Sequence, residues 1–484
     1  MTQTLHRETL DNLTNQVYEP SHMPRAQMLQ NLERKPIRQL LLQYSLPAVI
    51  GMAATSAYNL IDAMYVGQWC NPYAVAALAL VFPVMNLTVA AGTLVGLGSA
   101  ANVSIILGQQ DYNRAFRVMG TCMILGLIVG ILVGWVPCLW LNEILQFFGA
   151  EGKALEEAYD FLIVIMLGFP ISTNFLNLNH LMRASGYPKK AMMSLLITMV
   201  VNIILAPLLM LCLDMGVMGA ALATVLAQCA GFVWVCIHYC NPRSVLHFKR
   251  GIYKLNGVIV KRILAVGLAP CLLNIVGCVV VVVFNYMFLA YEGQMGVGAF
   301  GVVNRTMFFF VMIVLGIAQG MQPIVGYNLG MGQFSRVRRT LKLAMLSAVT
   351  VTTLGFLLVQ IFPREILQCF ADGASGDTDA ARLINIGTEG IRLYSLFFPL
   401  VAVQVVAFNF FQAINKPVMS IFLGLTRQLI FLLPCLIILP PLLGEKGIWL
   451  AQAAADILSI LLSLLILILY VRRHLPRKDV LFDK

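Results

Sequence analysis

Four charged side chains lie inside long apolar stretches of the sequence: Asp62, Arg305, Arg427 and Asp456. Charges are rare inside membrane-spanning helices, so each of these residues is a functional candidate. Asp62 lies about ten residues before the outer end expected for the first apolar stretch. Desolvation favours the neutral form of a carboxyl group, so Asp62 can take up and release a proton or exchange it for a metal cation. The alternative is that Asp62 pairs structurally with a buried polar group.

The other three charges lie in the second half of the chain. Arg305 and Asp456 have opposite signs, which suggests a salt bridge, although either could contact a substrate instead. Arg427 lies near the middle of its apolar stretch and is expected to snorkel or to pair. Amide side chains in neighbouring aromatic stretches are expected to face a central cavity, because an amide that faces lipid lacks hydrogen-bond partners. These amides are Asn304, Gln404, Asn409 and Gln412.

The cysteines and histidines form no recognisable catalytic or metal-binding motif. Cys236 and Cys240 lie one helical turn apart, but no His or second Cys pair accompanies them as a zinc site requires. The six His residues form no H-x-x-x-H or H-E-x-x-H pair, and no G-x-S-x-G occurs. The sequence therefore predicts no cofactor, and a membrane-embedded enzyme is the weaker interpretation.

The composition identifies the elements that must position these residues. Of 484 residues, 59% are hydrophobic and 11% are charged, with a mean hydropathy of +0.83; soluble proteins carry about 25% charged residues. Long continuous apolar runs predict an all-α membrane protein rather than a barrel. About twelve spans are expected, starting near Leu40, Ala74, Val118, Tyr159, Met192, Gly219, Val258, Gly298, Leu343, Leu393, Val418 and Gly447.

The net charge of +11 is distributed unequally between alternate loops. The tails and one set of loops hold 26 of the 33 Lys and Arg residues and 7 of the 22 acids. By the positive-inside rule this set is cytoplasmic, together with both termini. The other set holds 5 basic and 13 acidic residues. The pattern predicts a multi-pass protein of the cell membrane, with the bacterial inner membrane favoured, and the basic excess requires no nucleic acid.

The chain also repeats itself at an offset of roughly 222 to 229 residues, as a parallel repeat of six spans does. Pro188 corresponds to Pro417, and Gly216-x-x-Gly219 corresponds to Gly444-x-x-Gly447. Two pseudo-symmetric six-helix lobes around a central cavity are therefore expected. The predicted divisions are a tail (1–38), an N-terminal lobe (39–241), a linker (242–256), a C-terminal lobe (257–471) and a second tail (472–484).

Several motifs resemble those of the multidrug and toxic compound extrusion (MATE) family. Residues 46–67 resemble its first-helix motif, and residues 183–188 resemble the turn after its fourth helix. Residues 202–207 and 219–224 are similar to its fifth- and sixth-helix motifs. Residues 316–330 are similar to the MepA-like branch in particular. The resemblance covers about residues 36 to 473, and it is the combination of motifs that makes it specific.

The resemblance implies a monomeric antiporter in the lipid membrane that exports organic, often cationic, compounds in exchange for H⁺ or Na⁺. In one branch of the family a polar cluster joins the first, fifth and sixth helices, and its matching positions here are Asp62, Asn202 and Thr224. The fifth-helix motif often has an Asp where this chain has Ala206. A Na⁺ ion bound at Asp62 would therefore have one carboxylate ligand fewer than in family members with that Asp. The simpler expectation is that Asp62 carries a proton.

Two other transporter classes are compatible with a chain of this kind. A major-facilitator transporter would carry a G-x-x-x-D-R-x-G-R-R loop, and the loop at residues 108–117 lacks its second Gly. A lipid-linked oligosaccharide flippase of the same superfamily would carry extra helices and several cationic residues in its cavity. Only Arg305 and Arg427 are candidates for such residues here.

Overall fold

The computed structural model describes residues 24–70, 72–147, 149–371, 377–476 and 479. Across these residues the chain is helical, and no β-strand occurs in them. The first half contains α1 (Pro24–Arg34), α2 (Ile37–Trp69), α3 (Pro72–Gly108), α4 (Tyr112–Gly130), α5 (Leu141–Phe147), α6 (Gly152–Ala184), α7 (Pro188–Pro207) and α8 (Gly216–Cys240). The second half contains α9 (Gly257–Gly330), α10 (Phe334–Ile361), α11 (Pro363–Ala371), α12 (Asp377–Tyr394), α13 (Phe398–Ala413), α14 (Pro417–Leu425), α15 (Leu433–Leu443) and α16 (Glu445–His474).

The number of membrane spans can be derived from the lengths of these helices. Within the described residues, ten helical segments are long and apolar enough to cross a membrane. The pair α12 and α13, bent by 57° at their junction, passes the same test together and makes eleven. The 74 residues of α9 would extend roughly 110 Å as one straight helix, several times the thickness of a bilayer.

Helix α9 is in fact two helices, because Gly293 adopts φ 69° and ψ −157° inside it. A left-handed φ of this kind suits glycine, which has no Cβ to clash with the backbone. The first arm of α9 (residues 257–292) and the second arm (residues 294–330) therefore count as separate spans. Counted separately, they bring the candidate spans within the described residues to twelve, in agreement with the about twelve that the sequence predicts.

The internal repeat appears as matching helix starts in the two halves. Helices α7 and α14 begin at Pro188 and Pro417, where a proline in the first turn loses no helical hydrogen bond. Each of these helices is followed by a π-helical turn, at Leu208–Cys212 and Thr426–Leu432. Equivalent prolines of the repeat thus begin equivalent helices in the two halves.

Three hydrophobic cores show how the two lobes are arranged. One core contains only residues of the first half, between Tyr65 and Val225, and another contains only residues of the second half, between Val276 and Ala455. The third core draws on both halves and includes residues beside the basic loops, such as Leu107 and Tyr327. The lobes therefore share one core on the side of the basic loops and have separate cores on the opposite side.

The contact between the lobes on the basic side is close enough to require glycine. A methyl group at Gly98 of α3 would clash with the Ile263 carbonyl of α9, and one at Gly267 would clash with the Leu94 carbonyl. Asn415 also donates a hydrogen bond to Asn102 across the interface, over 3.1 Å. In this structure the lobes are joined on the basic side.

Candidate functional site

Asp62, Asn202 and Thr224 come together in the first lobe from α2, α7 and α8. The Asn202 amide donates to Asp62 Oδ2 over 3.3 Å, and the Thr224 hydroxyl lies 3.2 Å from the same oxygen. The Asn202 amide nitrogen also lies 3.2 Å from the Thr224 hydroxyl oxygen. The first, fifth and sixth spans of the lobe thus meet at one carboxylate, as the resemblance implies.

Two oxygen atoms of this cluster are buried without a hydrogen-bond donor among the described residues. They are Asp62 Oδ1 and Asn202 Oδ1. A buried acceptor without a partner carries a substantial free-energy cost. A proton on Asp62, or a cation bound between the two oxygens, would remove that cost.

No basic side chain neutralises Asp62 in the part of the chain that the structure describes. The ion pairs found there are Arg427 with Asp456 and Lys446 with Glu389. The described residues also contain no group of three or more His, Cys, Asp or Glu side chains that could hold a metal ion. A carboxylate beside an amide and a hydroxyl is an arrangement that can exchange a proton or bind an alkali cation.

Ala206 lies one turn beyond Asn202 on α7 and is fully buried. Residues four apart share a helix face, so a longer side chain at this position would point towards the same side of α7 as Asn202. Because alanine has no carboxyl group, Asp62 supplies the carboxylate of the cluster that it forms with Asn202 and Thr224.

A second set of polar residues extends from Asp62 into the lobe and was missed in the sequence. Tyr58, one turn before Asp62, lies next to Gln228 of α8, and Ser172 of α6 is hydrogen-bonded to Gln228. The sequence does show that Ser172 and Gln228 are polar residues within apolar helices, which marks them as candidates for a buried polar cluster. Their relative positions, however, depend on helix packing.

The buried charges of the second lobe pair differently from the sequence prediction. Asp456 Oδ1 accepts hydrogen bonds from Arg427 Nε at 2.9 Å and from Gln452 Nε2 at 3.0 Å. The expected salt bridge between Asp456 and Arg305 is therefore wrong. Arg305 is exposed on the second arm of α9. In this structure Asp456 has a counter-ion, and Asp62 has none among the described residues.

The comparison with known families matches two segments of the chain. The family model described as MatE matches residues 47–208 and 266–437, which lie in the first and the second lobe respectively. The chain belongs to the MatE family. Members of this family are transporters, so this MatE protein is a transporter and not an enzyme, and its apolar helices make it a multi-pass membrane protein.

Relatives of this MatE chain include proteins described as "Multidrug export protein MepA". One, from Staphylococcus aureus strain MRSA252, is 25% identical over 92% of this chain and 96% of its own length. Another, from Staphylococcus haemolyticus, is 25% identical over 70% of this chain and 75% of its own.

Solved structures show the same fold. A MOP superfamily transporter from Pyrococcus furiosus matches with a TM-score of 0.87 at 22% identity, covering 94% of this chain and all of the other. A multidrug resistance MATE family transporter in an outward-facing conformation matches with a TM-score of 0.86 at 22% identity, covering 93% of this chain and 99% of the other.

The amides predicted to face a cavity of this MatE chain occupy different environments. Gln404 is buried within the second lobe, where it donates to the Leu423 carbonyl and accepts from Ser459. Asn409 is buried and donates to its own helix, at the Val405 carbonyl. Asn304 is partly exposed on the second arm of α9. Gln412 is buried, and both of its amide atoms lack a hydrogen-bond partner among the described residues.

Proposed function

We propose that this protein is a secondary multidrug efflux antiporter that exports organic, often cationic, amphipathic compounds in exchange for H⁺. The observation that carries the proposal is the Asp62 cluster. A half-buried carboxylate with one unpartnered oxygen, and with no neutralising cation among the described residues, is suited to binding and releasing a cation. The names of the MepA relatives support multidrug export as the process that this exchange drives.

The single carboxylate favours H⁺ over Na⁺ as the coupling ion. A desolvated Na⁺ needs several oxygen ligands, and Asp62, Asn202 and Thr224 offer a single formal negative charge. Ala206 supplies neither charge nor oxygen. A proton needs only one acceptor, and Asp62 Oδ1 is free to receive it.

The transport cycle in this proposal alternates access between the two sides of the membrane. The lobes, residues 39–241 and 257–471, rock about the interface that they share, as expected for parallel repeats. The side of the shared core is cytoplasmic by the positive-inside rule, and both tails lie there. We place the transporter, as a monomer, in the cell membrane, with the bacterial inner membrane favoured.

Substitution of Asp62 by Asn tests the coupling role. Asp62→Asn keeps the size of the side chain and one oxygen that can accept hydrogen bonds but removes the exchangeable charge, so efflux is expected to be lost while the protein still inserts. Ethidium accumulation in cells expressing the variant measures this. Asp160→Asn, which changes an exposed acid of the same lobe, is the matched control and should transport normally. Wild-type efflux by Asp62→Asn at equal membrane abundance would contradict the proposal.

Proteoliposomes identify the coupling ion directly. Purified protein should transport ethidium when a pH gradient is imposed and fail to do so when only a sodium gradient is imposed. If a sodium gradient alone drives transport, the protein is still an antiporter, but its coupling ion is Na⁺ and not H⁺.

A further inference from the structure

A small cavity lies between the lobes on the basic side, away from the Asp62 cluster. Helices α3 and α6 of the first lobe and the second arm of α9 form its walls, and they leave about 10 Å³ of space for the centre of a water-sized sphere. Its polar lining consists of Ser104, His180, Arg183, Gln319 and Gln322. None of these side chains is acidic.

Arg183 places a buried positive charge at this cavity without a negative partner among the described residues. The side chain is buried, with 7% of the residue exposed. Its guanidinium donates to the Gln319 side-chain oxygen across the lobe interface and to Asn179 Oδ1 over 3.2 Å, and it lies 3.3 Å from His180 Nδ1. All three contacts are with neutral groups. A buried charge without a counter-charge is strongly unfavourable, so a negative group bound beside Arg183 would stabilise it.

The neighbouring side chains add hydrogen-bond donors that lack acceptors. Gln322 Nε2 is buried without a partner in the described part of the chain, and 7% of this residue is exposed. Gln319 Nε2 has only a weak contact, at 3.8 Å from the sulfur of Met52. The hydroxyl of Ser104 already donates to the Ala100 carbonyl over 2.8 Å. The Gln322 amide thus lacks an acceptor among the described residues, and the Gln319 amide has only a weak one.

We propose that this cavity binds a small monovalent anion of the size of chloride or of a carboxylate group. Arg183 supplies the compensating positive charge, and the Gln322 amide donates a hydrogen bond. Charge-assisted hydrogen bonds of this kind are about twice as strong as those between neutral groups. The anion would satisfy the guanidinium charge and the unpartnered amide at once.

The location of the site gives the anion a conformational effect. Arg183 belongs to the first lobe, whereas Gln319 and Gln322 belong to the second, so the site is complete only while the lobes touch on the basic side. A ligand that binds one conformation better shifts the population towards it. Anion binding is therefore expected to stabilise the state that is closed on the basic side.

Thermal unfolding of the purified full-length protein tests the site. The unfolding midpoint is measured while chloride replaces gluconate, a large monovalent anion, at constant ionic strength. We expect a saturable rise of a few degrees for the wild type and none for Arg183→Gln. Arg339→Gln, which changes an exposed arginine outside the cavity, should retain the rise. An equal rise for Arg183→Gln would overturn the proposal, as would a wild type that shows a saturable rise with neither chloride nor formate.

Two variants of Gln322 keep the test decisive if Arg183→Gln fails to fold. Gln322→Leu should raise the chloride concentration for half-maximal stabilisation about tenfold, a factor that corresponds to the loss of one hydrogen bond to a charged group. Gln322→Glu should supply a tethered carboxylate, so its midpoint should be high without chloride and unresponsive to it. Wild-type chloride dependence in both variants would contradict the role of the amide.

Parallel titrations with chloride and with formate distinguish the two sources of the anion. A response to chloride alone assigns the site to a free halide, and a response to formate alone assigns it to a carboxylate. A response to neither excludes the site.

Discussion

The difference between Asp62 and Asp456 is the presence of a counter-ion. Asp62 contacts the fifth and sixth helices of its lobe, and Asp456, which lies on the sixth helix of its own lobe, contacts Arg427 of the fifth span. Arg427 neutralises Asp456, and no described cation neutralises Asp62. A paired carboxylate has little reason to exchange a proton during transport, because the charged form is already compensated. We therefore assign a structural role to the pair in the second lobe and ion exchange to the first.

Replacing Ala206 by Asp should introduce sodium dependence. The new carboxylate would project from the same face of α7 as Asn202 and add a second negative charge near Asp62, which an alkali cation could neutralise. Efflux from proteoliposomes under a sodium gradient measures the effect. Ala206→Asn, of equal size without the charge, is the control and should not respond to sodium. A folded Ala206→Asp variant that ignores sodium would show that position 206 does not face the ion site.

Removing Arg427 alone should destabilise the protein more than removing the whole ion pair. Arg427→Met leaves the Asp456 charge, 3% exposed as a side chain, without its cation, at a cost of about 3 kcal/mol. Because 24% of the Arg427 side chain is exposed, water offsets part of the full penalty. Thermal unfolding of Arg427→Met, Asp456→Leu and the double variant measures the coupling. Additive losses in the double variant would contradict a direct interaction.

The two lobes also differ in how well their sites could be predicted from the sequence. Asp62, Asn202 and Thr224 could be predicted because each belongs to a motif with a known place in a similar family. The partner of Asp456 could not, because a sequence shows that a charge is buried but not the direction in which it points. Arg427 lies in a π-helical turn, and the extra residue of such a turn rotates the later residues of the helix by about 100° relative to a regular α-helix.

The helices themselves were predicted well, except where the chain bends. Most predicted spans start a few residues inside a helix, because polar residues extend each helix beyond its apolar part. The tenth span differs: its predicted start, Leu393, lies in the last turn of α12, and the apolar helix α13 begins at Phe398 after a 57° bend. Hydrophobicity alone does not reveal such a bend, since residues on both sides of it are apolar.

The contact between α3 and α9 should fail if its glycines gain a side chain. Gly98→Ala would place a methyl group against the Ile263 carbonyl, and overpacking of this kind costs about 1–3 kcal/mol. We expect reduced ethidium efflux and a lower unfolding midpoint, because the lobes could no longer close fully on the basic side. Gly92→Ala on the same helix is the control, since a Cβ there has no neighbour within 4 Å. Equal effects of the two substitutions would indicate a change in α3 itself rather than in the interface.

The arrangement of the three cores explains how one chain can serve as an alternating-access transporter. On the side of the acidic loops each lobe has its own core, so the lobes can separate there without exposing a shared hydrophobic interior. On the basic side they share a core, sealed by small residues and by hydrogen bonds such as that between Asn102 and Asn415. Opening the basic side must break these contacts, and packed interfaces of this kind switch between discrete states rather than deform continuously.

Locking the basic side should therefore stop transport without unfolding the protein. A Cβ at Gly326 of the second lobe would lie 2.6 Å from the Cβ of Ser104 in the first, and a small outward shift gives the separation of about 3.8 Å that a disulfide requires. In a background lacking the native cysteines, oxidised Ser104→Cys/Gly326→Cys should lose ethidium efflux, and a reductant should restore it. Each single variant under the same oxidant is the control, and the efflux of each, whatever its level, should not change between oxidant and reductant. Continued efflux by the fully cross-linked protein would mean that the lobes need not part on this side, and a cycle of rocking lobes would be wrong.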